Sequence, residues 1–316
     1  MDAATKHLVR IQLLSPLSTL VALGVNLGAA ALVHPSLGDI NDEYLTILTP
    51  NKNLISGYWL VLFLLQIGYA LILSLIRKDI TKRTVVNAVG IRFPLANVCM
   101  ALWGILWSFR MFFLAEICLL VAFVLMTTVY IGLLVYPPEK SRPLDYIFIH
   151  AMCRMFLIIL FVVDIWQGGL LGLSWYKYIG EHDDPRNRKG KWEGDHSKHN
   201  WIAFSVVLVT GLINAFIVFL GRDFVWAAAS VYLYVALIIK GPKPVQVFIP
   251  LILMAALQII AILASLLYWY CSQREGQVAL PEDEEERAEG IESHHHQQTQ
   301  LEADREAHHP REVNDL

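Results

Sequence analysis

Long apolar blocks, broken by short polar or proline-bearing stretches, dominate the chain. A helix rises ~1.5 Å per residue, so ~20 apolar residues cross a hydrocarbon core of ~30 Å. By that measure the pattern predicts spans at about 11–33, 56–76, 90–108, 111–135, 145–173, 201–220, 224–239 and 245–270. The first block follows Lys6 and Arg10 like a signal segment. It is nevertheless longer than the ~7–15 apolar residues of a signal h-region, so it reads as a retained span. Pro16 falls near its start, where a helix tolerates proline. From Pro94 to Val135 the chain is almost continuously apolar, interrupted chiefly by Arg110, which calls for two helices joined by a tight turn near Ser108 to Met111. The expected fold is all-α: a polytopic transmembrane bundle of about eight spans over residues 1–271, followed by an acidic, disordered tail over 272–316.

The fifth block, Asp145 to Trp166, could cross a bilayer but carries His150, Arg154 and Asp164. An ionisable group at membrane depth costs at least about 2.5–3.5 kcal/mol and so belongs in a protein interior or a wet cavity. This places the segment inside the bundle. Ten residues of straight helix leave Arg154 and Asp164 about 80° apart in azimuth and ~15 Å apart in height, so each needs a partner from elsewhere. Counting depth along antiparallel spans sets Asp164 level with Arg110, and Arg154 within ~8 Å in height of Glu116. The expected intramembrane charge network is therefore Arg110, Glu116, His150, Arg154 and Asp164, with Arg154 reaching toward Glu116 and Asp164 meeting Arg110. Asn26 is expected to hydrogen-bond a neighbouring helix.

Composition fits the same solvent: 56% of residues are hydrophobic and 17% charged, where a soluble domain carries about a quarter charged. The net charge of −3 conceals a split. Ser272 to Leu316 holds 13 acidic and 4 basic residues, whereas the rest holds 15 acidic and 21 basic. No Lys/Arg stripe with interleaved aromatics is present, which argues against a nucleic-acid partner. Arg77, Lys78, Lys82 and Arg83 after the second span, with Lys140 and Arg142 after the fourth, mark cytoplasmic loops. Eight crossings then put both termini in the cytoplasm, without saying of which membrane. The mixed-charge stretch Tyr176 to Asn200 goes against a strict Lys/Arg count.

Little in the chain suggests catalysis or metal. There is no HExxH, no Gly-rich phosphate loop and no nucleophile elbow, so no enzyme and no cofactor are expected. His182, Asp183, Asp184, His196 and His199 have no standard ligand spacing, and the histidines of the tail read as solvent-facing. Cys99, Cys118 and Cys153 lie in apolar runs and read as small core side chains.

Particular stretches resemble a known family. LTPNKNLISGYWLVLFLLQIGYALIL, with proline before a Trp-bearing second span, is similar to the span-two entry of the tryptophan-rich sensory protein family, also called the TspO or translocator protein family. GVNLGAA resembles the end of that family's first span, NVCMALWGILWSF its third, and GRDFVWAAASVYLYVAL the late Arg-Asp segment of its longer members. The sequence also resembles an uncharacterised group of fungal multipass membrane proteins defined only as a domain of unknown function. Resemblance to the tryptophan-rich family implies a helical bundle whose aromatic groove binds porphyrins or sterol-like molecules, with Trp59, Asn97, Trp103 and Trp107 as the transferable positions. The fifth span departs from it: the aromatic, Gly-Trp ending is not intact, and Arg154 and Asp164 are additions.

Three functions follow as expectations. The first is a hydrophobic ligand held between spans two, three and five by Trp59, Asn97, Trp103, Trp107 and Arg154. The second is proton-coupled secondary transport through Glu116, Arg154 and Asp164, although no internal repeat of the kind common in transporters is visible. The third is a membrane scaffold whose tail binds a partner. The bilayer is the one partner all three share.

Overall fold

The computed structural model describes residues 3–75, 79–138, 142–178 and 199–275. The mixed-charge segment containing His182, Asp183, Asp184 and His196, and the tail from residue 276, lie outside the described residues. In chain order the elements are α1 (Ala3–Ala31), α2 (Leu37–Glu43), β1 (Tyr44–Leu45), α3 (Lys52–Leu75), α4 (Asp79–Arg83), α5 (Arg92–Ser108), α6 (Phe112–Val135), α7 (Pro143–Gly172), β2 (Lys177–Tyr178), α8 (Asn200–Gly221), α9 (Phe224–Ile239) and α10 (Val245–Glu275). β1 and β2 pair antiparallel, Tyr44 with Tyr178 and Leu45 with Lys177.

Among the described residues six helices are long and apolar enough to cross a membrane. A seventh candidate is the segment from Ile80 to Val89 taken with α5, bent by 49°, and α9 is a shorter apolar helix. The chain is thus an all-α, multi-pass membrane bundle. Two details depart from the linear reading. α1 begins at Ala3, ahead of its apolar block, so Pro16 lies inside the helix rather than in its first turn. The connection after α3 is itself helical, with α4 passing into a π-helical stretch at Thr84–Val89 that ends at Gly90 with φ 55°.

Two compact units are distinguished, Met1–Ser265 and Leu266–Leu316. In the second, the described part is the end of α10, where Tyr268, Trp269 and Tyr270 are exposed.

Within the first unit α7 is the axis. Of its apolar window 67% is buried, against 28–44% in the other long spans, which face lipid on one side. Met152, Cys153, Phe156, Ile158, Ile159 and Leu160 are all fully enclosed, and α3, α6 and α9 pack around them. A helix apolar on every face is a buried one, and the sequence of this segment is apolar on every face but for its three ionisable residues. Two π-helical stretches, Tyr146–Ala151 and Leu160–Asp164, interrupt its α geometry. π-bulges are rare and concentrate at functional sites. Here each carries one of the three ionisable residues, His150 in the first and Asp164 at the end of the second.

Candidate ligand cavity

A cavity of about 200 Å³ opens between α1, α3, α5 and α7 beneath α2. Its aromatic wall is built from two helices. Trp103 and Trp107 stand four residues apart on α5, which puts them on one face, with ring centroids 5.3 Å apart and planes at 43°. Trp59 of α3 faces the same space and is braced by Phe63 at 5.7 Å and Phe156 at 6.0 Å. Close approach of α1 depends on Gly104, where a Cβ would stand 2.7 Å from Asn26 Oδ1. Asn26 Nδ2 donates to Ala22 O at 2.8 Å and across the interface to Met100 O at 3.3 Å, so it bonds a neighbouring helix as expected and also lines the cavity.

Polar groups reach this apolar space from α2 and α7. Gln167 Nε2 donates to Asn41 Oδ1, joining the roof to the central helix. Asn41 Nδ2, the Nε1 groups of Trp103 and Trp107, and Asp164 Oδ2 are buried and have no hydrogen-bond partner among the described residues. Buried polar groups are ordinarily satisfied, and these four atoms without a partner sit on residues lining one cavity. Asn41 and Gln167 had no signature in the sequence. The roof did have one, because Ser36 and Asp39 form a capping box at the start of α2 and such S-x-x-D spacing is legible.

The roof is clamped by bases from three other parts of the chain. Lys52 Nζ lies 3.0 Å from Asp42 and 3.4 Å from Asp39, Lys240 pairs with Asp42, and Arg110 reaches Glu43 at 3.2 Å. Lys243 Nζ donates to Ile47 O at 2.7 Å and Thr49 O at 3.3 Å. Burial alone would raise the Asp42 carboxyl, but hydrogen bonds and charge from Lys240 and Lys52 outweigh it and hold it below its ordinary value. Burial, reinforced by the charge of Lys240, pushes the Lys243 ammonium down to about 7.

Of the sequence-derived ligand positions, Trp59, Trp103 and Trp107 meet in the cavity, while Asn97 and Arg154 are not on its wall. Asn97 is buried between α5 and α1, donating to Thr19 Oγ1 at 3.2 Å. Arg154 points toward α9, where its Nε lies 2.9 Å from Asp223 Oδ2 and its guanidinium stands 5.8 Å from the Tyr146 ring centroid.

The five ionisable residues do not form one network, and the pairings expected from depth counting are corrected. Arg154 pairs with Asp223 instead of Glu116. Arg110 pairs with Glu43 instead of Asp164, because it occupies a left-handed turn (φ 58°) at the α5–α6 junction, within reach of the acidic end of α2. Glu116 and Asp164 are left within Coulombic range of each other. Glu116 Oε2 lies against Gly168, where a Cβ would stand 2.3 Å away, and it too lacks a hydrogen-bond partner among the described residues. His150 is 2% exposed, and its Nδ1 has no hydrogen-bond partner among the described residues.

Helices wrapped around a buried axis, with an aromatic cavity roofed by the first connecting segment, define a multi-pass membrane protein built around an internal pocket. Residues 12–167 match the model of a family described as TSPO-like protein, a segment that contains every residue lining the cavity. Over that segment the chain is similar to TspO-like membrane proteins. No curated protein and no solved structure matches it.

Proposed function

We propose that this protein binds a hydrophobic small molecule in the cavity beneath α2, of the porphyrin-like or sterol-like class that the family resemblance implies. The observation that carries the reading is the convergence of Trp59, Trp103 and Trp107 from two helices on one space. Ligand sites are concave, mostly apolar and aromatic, with a few placed polar groups, and Asn41, Asp164 and Gln167 supply those here. Saturable quenching of tryptophan fluorescence by a porphyrin or a sterol analogue tests it. Binding should weaken in the Trp103→Ala, Trp107→Ala double variant; unchanged affinity would remove the site.

A second reading, proton-coupled transport, draws on the two carboxyl groups Glu116 and Asp164, which lie near each other with no ion-pair partner among the described residues. Arg154 contributes nothing to that path, because Asp223 engages it. Proton-driven uptake in proteoliposomes that survives Glu116→Gln and Asp164→Asn would dismiss it. The N-terminus of α1 is read as cytoplasmic on the basic residues after α3.

A further inference from the structure

We propose that the cavity selects an amphiphile bearing a protonated amine beside a neutral oxygen acceptor, the amine seated at Asp164 and the oxygen at the indole N–H groups of Trp103 and Trp107. This rests on the ligand-binding reading above and names the chemistry that such a ligand carries. The argument begins with what the protein leaves unanswered. Asp164 Oδ2 is enclosed, its residue lines the cavity, and it has no partner among the described residues. Glu116 lies within Coulombic range and has no cation partner among the described residues. A carboxyl group at this depth is tolerated when paired, and the pairing charge is not supplied from the walls. Arg154 is held by Asp223 and Arg110 by Glu43. Lys52, which also lines the cavity, is neutralised by Asp42 and Asp39. The complementary group on a ligand is therefore a cation. The faces of the indole rings are a second attraction for an ammonium group.

The two indole N–H groups and Asn41 Nδ2 are donors without acceptors. They are uncharged, so a hydroxyl, ether or carbonyl oxygen satisfies them without a second ion. Amine and oxygen on one apolar chain match acid and donors lining one apolar cavity.

The pair of probes 2-amino-1-decanol and 1,2-decanediol differs only in the charged group. Both are titrated against the full chain in lipid nanodiscs by tryptophan fluorescence, with empty nanodiscs as the partition reference and a porphyrin as a third probe. The amino alcohol should bind about tenfold more tightly than the diol, the scale of one charge-assisted hydrogen bond. Asp164→Asn should abolish that preference by bringing the amino alcohol to the affinity of the diol, and a melting temperature close to that of the unaltered chain reports that the variant is folded. Trp103→Phe with Trp107→Phe should weaken both alcohols while preserving the ratio. Equal affinity of the two probes for the unaltered chain, with porphyrin binding intact, overturns the amine selectivity and leaves the cavity reading standing. A preference that persists in Asp164→Asn also overturns it. Failure of all three probes to bind overturns both.

Discussion

Arg154 Nε lies 2.9 Å from Asp223 Oδ2, joining the middle of the buried α7 to the residue that caps α9. Asp223 Oδ1 accepts from Trp226 N at 3.1 Å, so one carboxylate holds a helix end and a guanidinium together. Side-chain exposure is 12% for Arg154 and 3% for Asp223, which makes the pair costly to halve. Asp223→Ala should destabilise the bundle by about 3–5 kcal/mol, the usual consequence of stranding a buried charge, whereas replacing both partners with apolar residues should cost much less. Thermal unfolding in detergent of the single and double variants measures the difference. A double variant less stable than Asp223→Ala would contradict this account.

The Glu116 side chain fits against α7 only because residue 168 is glycine. A Cβ there would meet Oε2 at 2.3 Å and Leu119 Cδ1 at 3.0 Å. Gly168→Ala should lower stability by about 1–3 kcal/mol, the range for overpacking. Trimming the neighbour with Glu116→Ala in the same chain should recover part of the loss, which a thermal shift of the double variant would report.

Lys243 gives a pH dependence of definite sign. Its ammonium is depressed from the ordinary 10.5 to about 7 in the folded chain, so between those values the unfolded state binds more protons. Stability should then rise with pH from about 7 to about 10.5 and stay flat, as far as this group is concerned, below about 7. The slope of melting temperature against pH should diminish in Lys243→Met. An equal slope in both proteins would assign the effect to another group.

The clamp on α2 has the opposite polarity. Asp42 is held below its ordinary value of 3.8, so its contribution is complete above that value and is lost as pH falls through the depressed one. Protection of the α2 amides from hydrogen exchange, taken relative to the intrinsic rate at each pH, should be high at neutral pH and fall in acid. Asp42→Asn should lower that protection at neutral pH, since Lys240 loses its carboxylate and Lys52 keeps only Asp39.

The sequence carried the solvent, the helical class and the aromatic wall, because apolar length and a four-residue tryptophan spacing are local properties. Trp103 and Trp107 could be placed on one face from position alone. The partners of the charges could not, for a geometric reason. Depth counting assumes ideal helices and tests only residues inside spans, whereas Asp223 sits at a helix cap and Glu43 on a connecting helix. The π stretches shifted the angular position of Asp164 in a way that no residue type announces. Asn41 and Gln167 were equally hidden, since a polar loop residue and a glutamine near a span end have many fates. The Ser36–Asp39 capping box, by contrast, is a short-range pattern that a closer reading of the first loop would have caught.

The π turn at Leu160–Asp164 makes the orientation of α7 separable into two halves. Each residue of an α-helix advances the azimuth by about 100°. Deleting one valine from Val162–Val163 would convert the bulge to regular helix, re-phasing Asp164 and Gln167 together while Arg154, on the preceding turns, keeps its bearing toward α9. A single-residue deletion there would thus act as a swivel between the Arg154 anchor and the Asp164–Gln167 end of α7.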